Sequence, residues 1–529
     1  AMKTVRDAAF ATMRQFGLTT IFGNPGSTEI PFLTDLPGDI RFVLGLHEGS
    51  VVGIATGYAL ARGEPAFVNL HTAPGLGNAI NAIANARDVG APLVVVVGQQ
   101  DRRQLAFEPF LTGRQLERLA GEYPVWANVP ARAQDVPGAI ARAHNEALAG
   151  RGPALVVVPM GDWLEPADDD AATSPDRVVR ACSVAPTDVS DLAAMVADAR
   201  SPALVVGAGS DSREGWDAVT ALAQRLRCPV WQESFVRRAG FPQDHPQFAG
   251  ILPWRRRQMR ETLAPHDLVV AVGASAFRLY ILDEPGALVN PGTRVAVITD
   301  SEAEAMRSRC EVALVAPVAD ACAALTAVIH ERDGELPSPM RRPEPPPAPE
   351  PGAPLRAGHV YAALAERMPD NAVIVEETPS SQPELYQRLP IRFPRGYYAA
   401  ANGGLGFGLA GSIGLRMGGP DRPVIGIVGD GSSMYAIQSL WSAAKYEVGV
   451  LLIVMSNGRY AVMDKLARDA GGPAAWPAFD VDITGIAGNL RCPARRIERF
   501  DELIAAFDEV LPGLAERGEP LVLEIVVGE

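Results

Sequence analysis

Short runs of apolar and β-branched residues recur along the chain, separated by alanine-rich stretches whose apolar positions fall at helical spacing. Uninterrupted apolar runs suit strands buried on both faces, and their alternation with helices predicts parallel sheets. In the first third, residues 19–22, 41–46, 66–70, 92–97 and 154–158 read as strands, with helices over 51–61 and 78–87. The second third repeats the rhythm at 203–206, 229–232, 267–272 and 294–299, and the last at 372–375, 424–428, 450–455 and 521–526. The pattern predicts an α/β chain of three doubly wound domains, each a parallel sheet flanked by helices.

Two stretches break the rhythm. EPADDDAATSPD (165–176) has the loose acidic composition of a linker. PEPPPAPEP (343–351) holds six prolines in nine residues, so it should be extended and semi-rigid, not packed. The expected domains are residues 1–165, 180–335 and 355–529, with a proline-rich linker over 336–354.

Composition then removes whole classes of function. The 529 residues are 47% hydrophobic and 21% charged, ordinary for a soluble globular protein. A net charge of −14 argues against nucleic acid or an anionic membrane surface as partner. The longest apolar runs, such as 448–455, are far too short to span a membrane. Lys3, Arg6, Asp7 and Arg14 interrupt the stretch where a signal peptide would be apolar, and Ala1 before Met2 reads as a cloning remnant. Five scattered cysteines with no CxxC or zinc spacing suit a reducing compartment, so a cytoplasmic enzyme acting on a small molecule is expected.

Ligands of open α/β sheets bind at the carboxyl ends of strands, and four such places carry suggestive residues. Gly429-Asp430-Gly431-Ser432 follows one apolar run, and Asn457 ends the next. An acid between glycines, completed by an amide oxygen, suits Mg²⁺ bridging to a diphosphate. Glu48 opens a helix after residues 41–46, where a carboxylate can also be a simple dipole partner. Gly23-Asn24-Pro25-Gly26-Ser27 makes a rigid turn in which Ser27 could be a helix cap, with Pro31 just inside the helix. His71 follows residues 66–70, ahead of a glycine-rich segment.

Together these segments resemble the thiamine-diphosphate-dependent 2-keto acid decarboxylase and carboligase superfamily, most closely its benzoylformate decarboxylase branch. FGNPGSTEIPFL, FVNLHTAPGLGNA, YYAAANGGLGFGL and VIGIVGDGSSMYAIQSLWSAA carry the resemblance, which covers nearly the whole chain. It implies an aminopyrimidine-binding domain, a middle domain, and a diphosphate- and Mg-binding domain, in that order. It also implies a homodimer or homotetramer with active sites between subunits. Thiamine diphosphate would be bound with Mg²⁺, for which Ca²⁺ could substitute. Glu48 would hydrogen-bond the aminopyrimidine ring, with Pro25 and Gly26 bringing backbone close to the cofactor. The Gly403 carbonyl would accept from the exocyclic amine and Leu405 would prop the bent cofactor. Asp430, Asn457 and the carbonyl of Arg459 would hold the metal. The diphosphate would rest on Gly431, Ser432, Ser380 and the Tyr460 region. Ser27 would bind the substrate carboxylate and His71 would transfer protons. The implied activity is non-oxidative decarboxylation of a benzoylformate-like 2-keto acid to an aldehyde and CO₂, by a carboxy-lyase; a carboligase forming 2-hydroxy ketones is the alternative.

The chain also departs from that pattern. Where the branch has an active-site histidine in an FRYH-like stretch, Phe277-Arg278-Leu279-Tyr280 places Tyr280. Ala399 and Leu466 stand where aromatic residues are expected, which implies a wider pocket. Arg459 is more basic than expected, and the direction of His47 is open. A flavin-binding middle domain is disfavoured because Gly207-Ala208-Gly209 lacks the third glycine of a dinucleotide fingerprint.

Overall fold

A computed structural model describes residues 3–171 and 173–528; Ala1, read above as a cloning remnant, lies outside them. The first sheet contains β1 (Thr20–Gly23), β2 (Arg41–Leu44), β3 (Ala66–His71), β4 (Leu93–Gln99), β5 (Trp126–Asn128) and β6 (Pro153–Pro159). Its order is β2-β1-β3-β4-β6-β5. The second contains β7 (Pro202–Val206), β8 (Val230–Gln232), β9 (Phe248–Ile251), β10 (Leu268–Val272), β11 (Arg294–Thr299) and β12 (Val312–Val315), in the order β12-β11-β10-β7-β8-β9. The third contains β13 (Val373–Glu377), β14 (Tyr397–Ala399), β15 (Val424–Gly429), β16 (Leu451–Ser456), β17 (Ala494–Ile497) and β18 (Leu521–Val526), in the order β14-β13-β15-β16-β18-β17. Every named pairing is parallel.

The first and third sheets therefore share one topology, with switch points between β1 and β3 and between β13 and β15. These are the crevices where doubly wound sheets bind ligands. The middle sheet switches between β7 and β10, but there the two strand ends join. Gly209 N donates to Gly273 O at 2.8 Å and Gly207 N to Val272 O at 3.2 Å.

Two helices fuse the first and third domains. The helix Glu48–Arg62 is capped by His47, whose Nδ1 accepts from Gly49 N, and ends at left-handed Gly63. The helix Phe407–Gly418 runs parallel to it at unusually close range. A Cβ at Gly53 would lie 2.7 Å from that of Ala410, and one at Gly57 would lie 2.8 Å from Leu415 N. Val51, Ile54, Ala410 and Ile413 belong to one continuous core across both domains.

The proline-rich segment has no helix or strand, yet it does not stand free of the domains. Arg342 donates to Gln243 O and Gln387 O, and Arg388 donates to Glu344 O. An extended proline-rich chain leaves its carbonyls open, and these arginines fasten the segment down. The helix expected from residue 78 begins earlier, as Thr72–Val89. Pro74 lies in its first turn, where no intrahelical N–H is required.

Candidate active site

At the first switch point the chain leaves β1 through Asn24-Pro25-Gly26 and makes a single 3₁₀ turn over Ser27–Glu29. Glu29 folds back on this turn. Its Oε2 accepts from Gly26 N at 2.8 Å, and its Oε1 from the Thr28 hydroxyl at 2.5 Å. The carboxylate is 1% exposed, and His71 Nδ1, from the end of β3, lies 2.9 Å from Oε2. An ionised carboxylate only accepts, so Nδ1 carries the proton and Nε2 is left as the available ring nitrogen. The ring packs directly on Gly26, where any Cβ would overlap it. Thr72, next to His71, has φ 41° and a buried hydroxyl without a hydrogen-bond partner among the described residues. Such strain clusters where surrounding structure holds a residue in place.

Ser27 does not cap the following helix; Glu29 bonds the turn instead. Ser27 and Pro25 are both exposed at the crevice. Glu48 is buried at the start of its helix. Its Oε2 accepts from Asn78 Nδ2 at 3.0 Å and its Oε1 from Asn24 Nδ2 at 3.5 Å. Both partners are neutral amides, and Oε1 keeps accepting capacity. His47 is the helix cap, which settles its direction.

One turn beyond Asn78, Asn81 Nδ2 donates to Leu405 O at 3.0 Å. The same helix edge thus holds both Glu48 and the turn of the third domain that carries Gly403 and Leu405. Gly403 has φ 77° and open space over its Cα, a conformation costly for other residues. Glu377, at the end of β13, fixes this turn by accepting from Gly406 N, Phe407 N and Gly408 N at 3.0–3.1 Å. Burial pushes the Glu377 carboxyl up to about 7, outweighing those three N–H groups.

The second switch point holds Asp430. Its Oδ1 accepts from Gly431 N at 2.9 Å, and its Oδ2 from Gly458 N at 2.7 Å and Asn457 N at 3.1 Å. Burial raises its pKa against these bonds. Asn457 Oδ1 accepts from the exposed Arg459 N at 3.2 Å. The Tyr460 ring covers Gly431 and packs 5.0 Å from Phe479, and Ser432 is buried in the Asp430–Ser433 turn. Ser380 Oγ accepts from Val462 N at 3.2 Å, so this group closes around Asp430. The hard oxygen donors of Asp430 and Asn457 fit Mg²⁺. The open left-handed turn at Gly403 and a buried acid with neutral partners, both held by the helix Thr72–Val89, fit an aminopyrimidine.

Tyr280 lies on the middle domain, 56% exposed and packed against Phe235 and Trp254. Ala399 lies in the core beneath β14 with Tyr397 instead of widening a pocket. Leu466 is half-buried on the helix Ala461–Asp469. Sequence reasoning passed over Glu29, Asn24, Asn78, Asn81 and Glu377. Two of these had a signal: Glu29 stands at capping spacing from Gly26, and Glu377 ends an apolar run.

Three family models match the chain: thiamine pyrophosphate enzyme, N-terminal TPP binding domain over residues 3–117, central domain over 189–325, and C-terminal TPP binding domain over 380–525. A benzoylformate decarboxylase of Pseudomonas aeruginosa is 38% identical over 529 residues, covering 99% of each chain. The solved thiamine diphosphate-dependent 4-hydroxybenzoylformate decarboxylase of Rhodococcus jostii RHA1 superposes with a TM-score of 0.91 at 34% identity, covering 99% of each chain. The benzoylformate decarboxylase of Polynucleobacter necessarius gives 0.92 at 30% identity, again over 99% of each. With its three domains matched in order, and a relative of this identity along its whole length, the chain belongs to the thiamine pyrophosphate enzyme family.

Proposed function

We propose that this chain is a carboxy-lyase that uses thiamine diphosphate and Mg²⁺ to convert a benzoylformate-like 2-keto acid to an aldehyde and CO₂. One observation carries the reading. The helix Thr72–Val89 begins beside His71, holds Glu48 through Asn78, and reaches the Gly403–Leu405 turn through Asn81. An acid, a proton carrier and the cofactor turn are thereby set on one frame.

When bound, thiamine diphosphate supplies the electron sink that carbon–carbon cleavage beside a carbonyl requires. Asp430, Asn457 and the Arg459 carbonyl would hold the metal, with Gly431, Ser432, Ser380 and Tyr460 around the diphosphate. Glu48 would hold a proton at the aminopyrimidine, and Gly403 and Leu405 would fix that ring. The exposed Ser27 hydroxyl donates to the substrate carboxylate, which loses that bond as it leaves as neutral CO₂. The carbonyl carbon then needs one proton in place of the departed carboxylate; His71 Nε2 takes that proton from solvent and passes it to the carbon, while Nδ1–H stays on Glu29. Glu29 keeps that imidazole oriented. We assign Tyr280 to substrate binding, because its hydroxyl has no relay partner among the described residues.

The domain limits and the proline-rich linker given above belong to this proposal, as do a homodimer or homotetramer and a cytoplasmic location. All five cysteines are free, which supports the last. No helix among the described residues is long and apolar enough to cross a membrane. The test is a panel of 2-keto acids with added thiamine diphosphate and Mg²⁺, followed by CO₂ release and aldehyde trapping. Equimolar CO₂ and aldehyde are expected; a 2-hydroxy ketone as the main product from mixed acceptors would overturn the assignment.

A further inference from the structure

The turn that carries Gly403 and Leu405 is soft by composition and firm only where other parts of the chain grip it. Two adjacent glycines, Gly403 and Gly404, follow Asn402. Gly403 stands at φ 77° with open space over its Cα. A glycine adopts either sign of φ at little cost, so its carbonyl points where its flanks hold it. Gly403 O itself meets no donor among the described residues.

All three domains hold these flanks. Downstream, Leu405 O accepts from Asn81, and the N–H groups of Gly406, Phe407 and Gly408 bond Glu377. Upstream, two successive peptides are taken by different domains. Ala401 N donates to Asn85 Oδ1 at 2.9 Å, and Ala401 O accepts from the Arg278 guanidinium. Asn85 is buried one turn past Asn81 on the helix Thr72–Val89, so the amides of Asn78, Asn81 and Asn85 share one face. Arg278 belongs to the middle domain, after β10, and its other terminal nitrogen donates to Phe235 O at 2.7 Å. Val236 N, next in the chain, donates to the Tyr386 hydroxyl at 3.1 Å on the helix Gln382–Arg388. The arginine is thereby braced against the third domain at a second point.

Arg278 is half-buried, with no carboxylate at ion-pair distance among the described residues. Burial lowers its pKa, and Arg237 and Arg307 add to that against the pull of Glu233. A cation withdrawn from water without a paired anion costs stability. The two carbonyls it holds offset that cost, because a charged donor bonds a carbonyl more strongly than a neutral one. We infer that Arg278 is a positioning residue: by gripping Ala401 O it sets the turn so that the Gly403 carbonyl faces the aminopyrimidine. It acts through that turn, without contact to the reacting atoms. The inference rests on the cofactor contacts of the proposed function and adds the middle domain to the frame that sets them.

The test compares two ligands in the presence of Mg²⁺: thiamine diphosphate, which needs both the turn and the Asp430 site, and inorganic diphosphate, which needs only the latter. Calorimetry gives Kd for wild type, Arg278→Met and Arg278→Lys. In Arg278→Met, thiamine diphosphate should bind about tenfold more weakly, with inorganic diphosphate within about twofold of wild type. Steady-state CO₂ release at saturating cofactor should show kcat down about tenfold and KM for benzoylformate within about twofold. Arg278→Lys still reaches one carbonyl and should lose about threefold with the same split, so it carries the test alone if the methionine variant does not fold. Parallel losses for both ligands would make Arg278 a general support of the fold and overturn the inference. So would wild-type affinity for thiamine diphosphate in the variants, or a wild type that binds it no more tightly than inorganic diphosphate. Should the wild type bind both ligands yet release CO₂ from no 2-keto acid, the decarboxylase reading fails, and the two Kd comparisons still judge Arg278.

Discussion

Substituting Gly57 by alanine sets two effects of opposite sign against each other. In an exposed helix interior the change stabilises by about 1 kcal/mol, because alanine restricts the unfolded chain and favours the helix. At Gly57 the new Cβ would lie 2.8 Å from Leu415 N and nearer still to Gly411 O, both backbone atoms of the partner helix. Ordinary contact begins at 3.4 Å, so the helices must part by at least about 0.6 Å. A gap of that size forfeits a quarter or more of the dispersion energy across the surfaces it opens, and overpacking costs about 1–3 kcal/mol or more. Packing should win, leaving a net loss of up to about 2 kcal/mol. Gly488→Ala, where a Cβ meets nothing within 4 Å, is the control and should be neutral or stabilising. The assay is the thermal midpoint of the apoenzyme at fixed scan rate, paired with the Kd of thiamine diphosphate. Gly57→Ala should melt lower and bind the cofactor more weakly, since Glu48 and the Gly403 turn sit at the end of the parted helices. A Gly57→Ala protein that melts above the wild type and binds normally would refute the close helix crossing.

Glu48→Gln should lower kcat by two or more orders of magnitude while calorimetry shows diphosphate binding little changed; an equally active variant removes Glu48 from proton handling. Glu29→Ala strands three donors, at about 1–3 kcal/mol for each buried one, and should cut kcat 10- to 100-fold with KM nearly constant. Because Glu29 acts through His71, the double variant with His71→Ala should be no slower than His71→Ala alone; additive losses would separate the two residues. Glu377→Gln tests the buried acid. Its folded pKa of about 7 lies above the usual 4.5, so the stability its protonation confers is complete below about pH 4.5 and lost as pH rises through 7. Relative to Glu377→Gln, the wild-type apoenzyme should therefore lose about 3 kcal/mol across that range in urea titrations; a parallel pair of curves would show that Glu377 stays ionised throughout.

Thirteen strands were legible as apolar runs, and five were not: β5, β9, β12, β14 and β17. All five are sheet edges. An edge strand is three or four residues long here and pairs on one side only. Exposed Arg495 and Arg496 interrupt β17 and Asn128 ends β5, whereas β14 is apolar and buried but only three residues long. The twofold burial that makes a central strand readable is what an edge lacks. Strand order was hidden for a different reason, since it is set by which crossover packs where and leaves no local mark.

The candidate site divides along the same line. Asp430, Asn457, His71 and Glu48 stand at strand or helix ends where a local pattern points to them. Asn24 was legible only as part of a rigid turn, and Asn78 and Asn81 have no such mark, because their importance lies in contacts up to 324 residues away. Yet these amides explain why the readable residues form one site. Identical strand order in the first and third sheets puts each switch point at the start of a helix that crosses its counterpart in parallel. Both starts therefore lie at one end of the pair, and a third helix whose Asn78 and Asn81 share a face needs only its own 3.6-residue period to bridge them. The relative placement of Glu48 and the Gly403 turn thus depends on helical geometry and close glycine packing, which tolerate little drift, and not on the segments that link the domains.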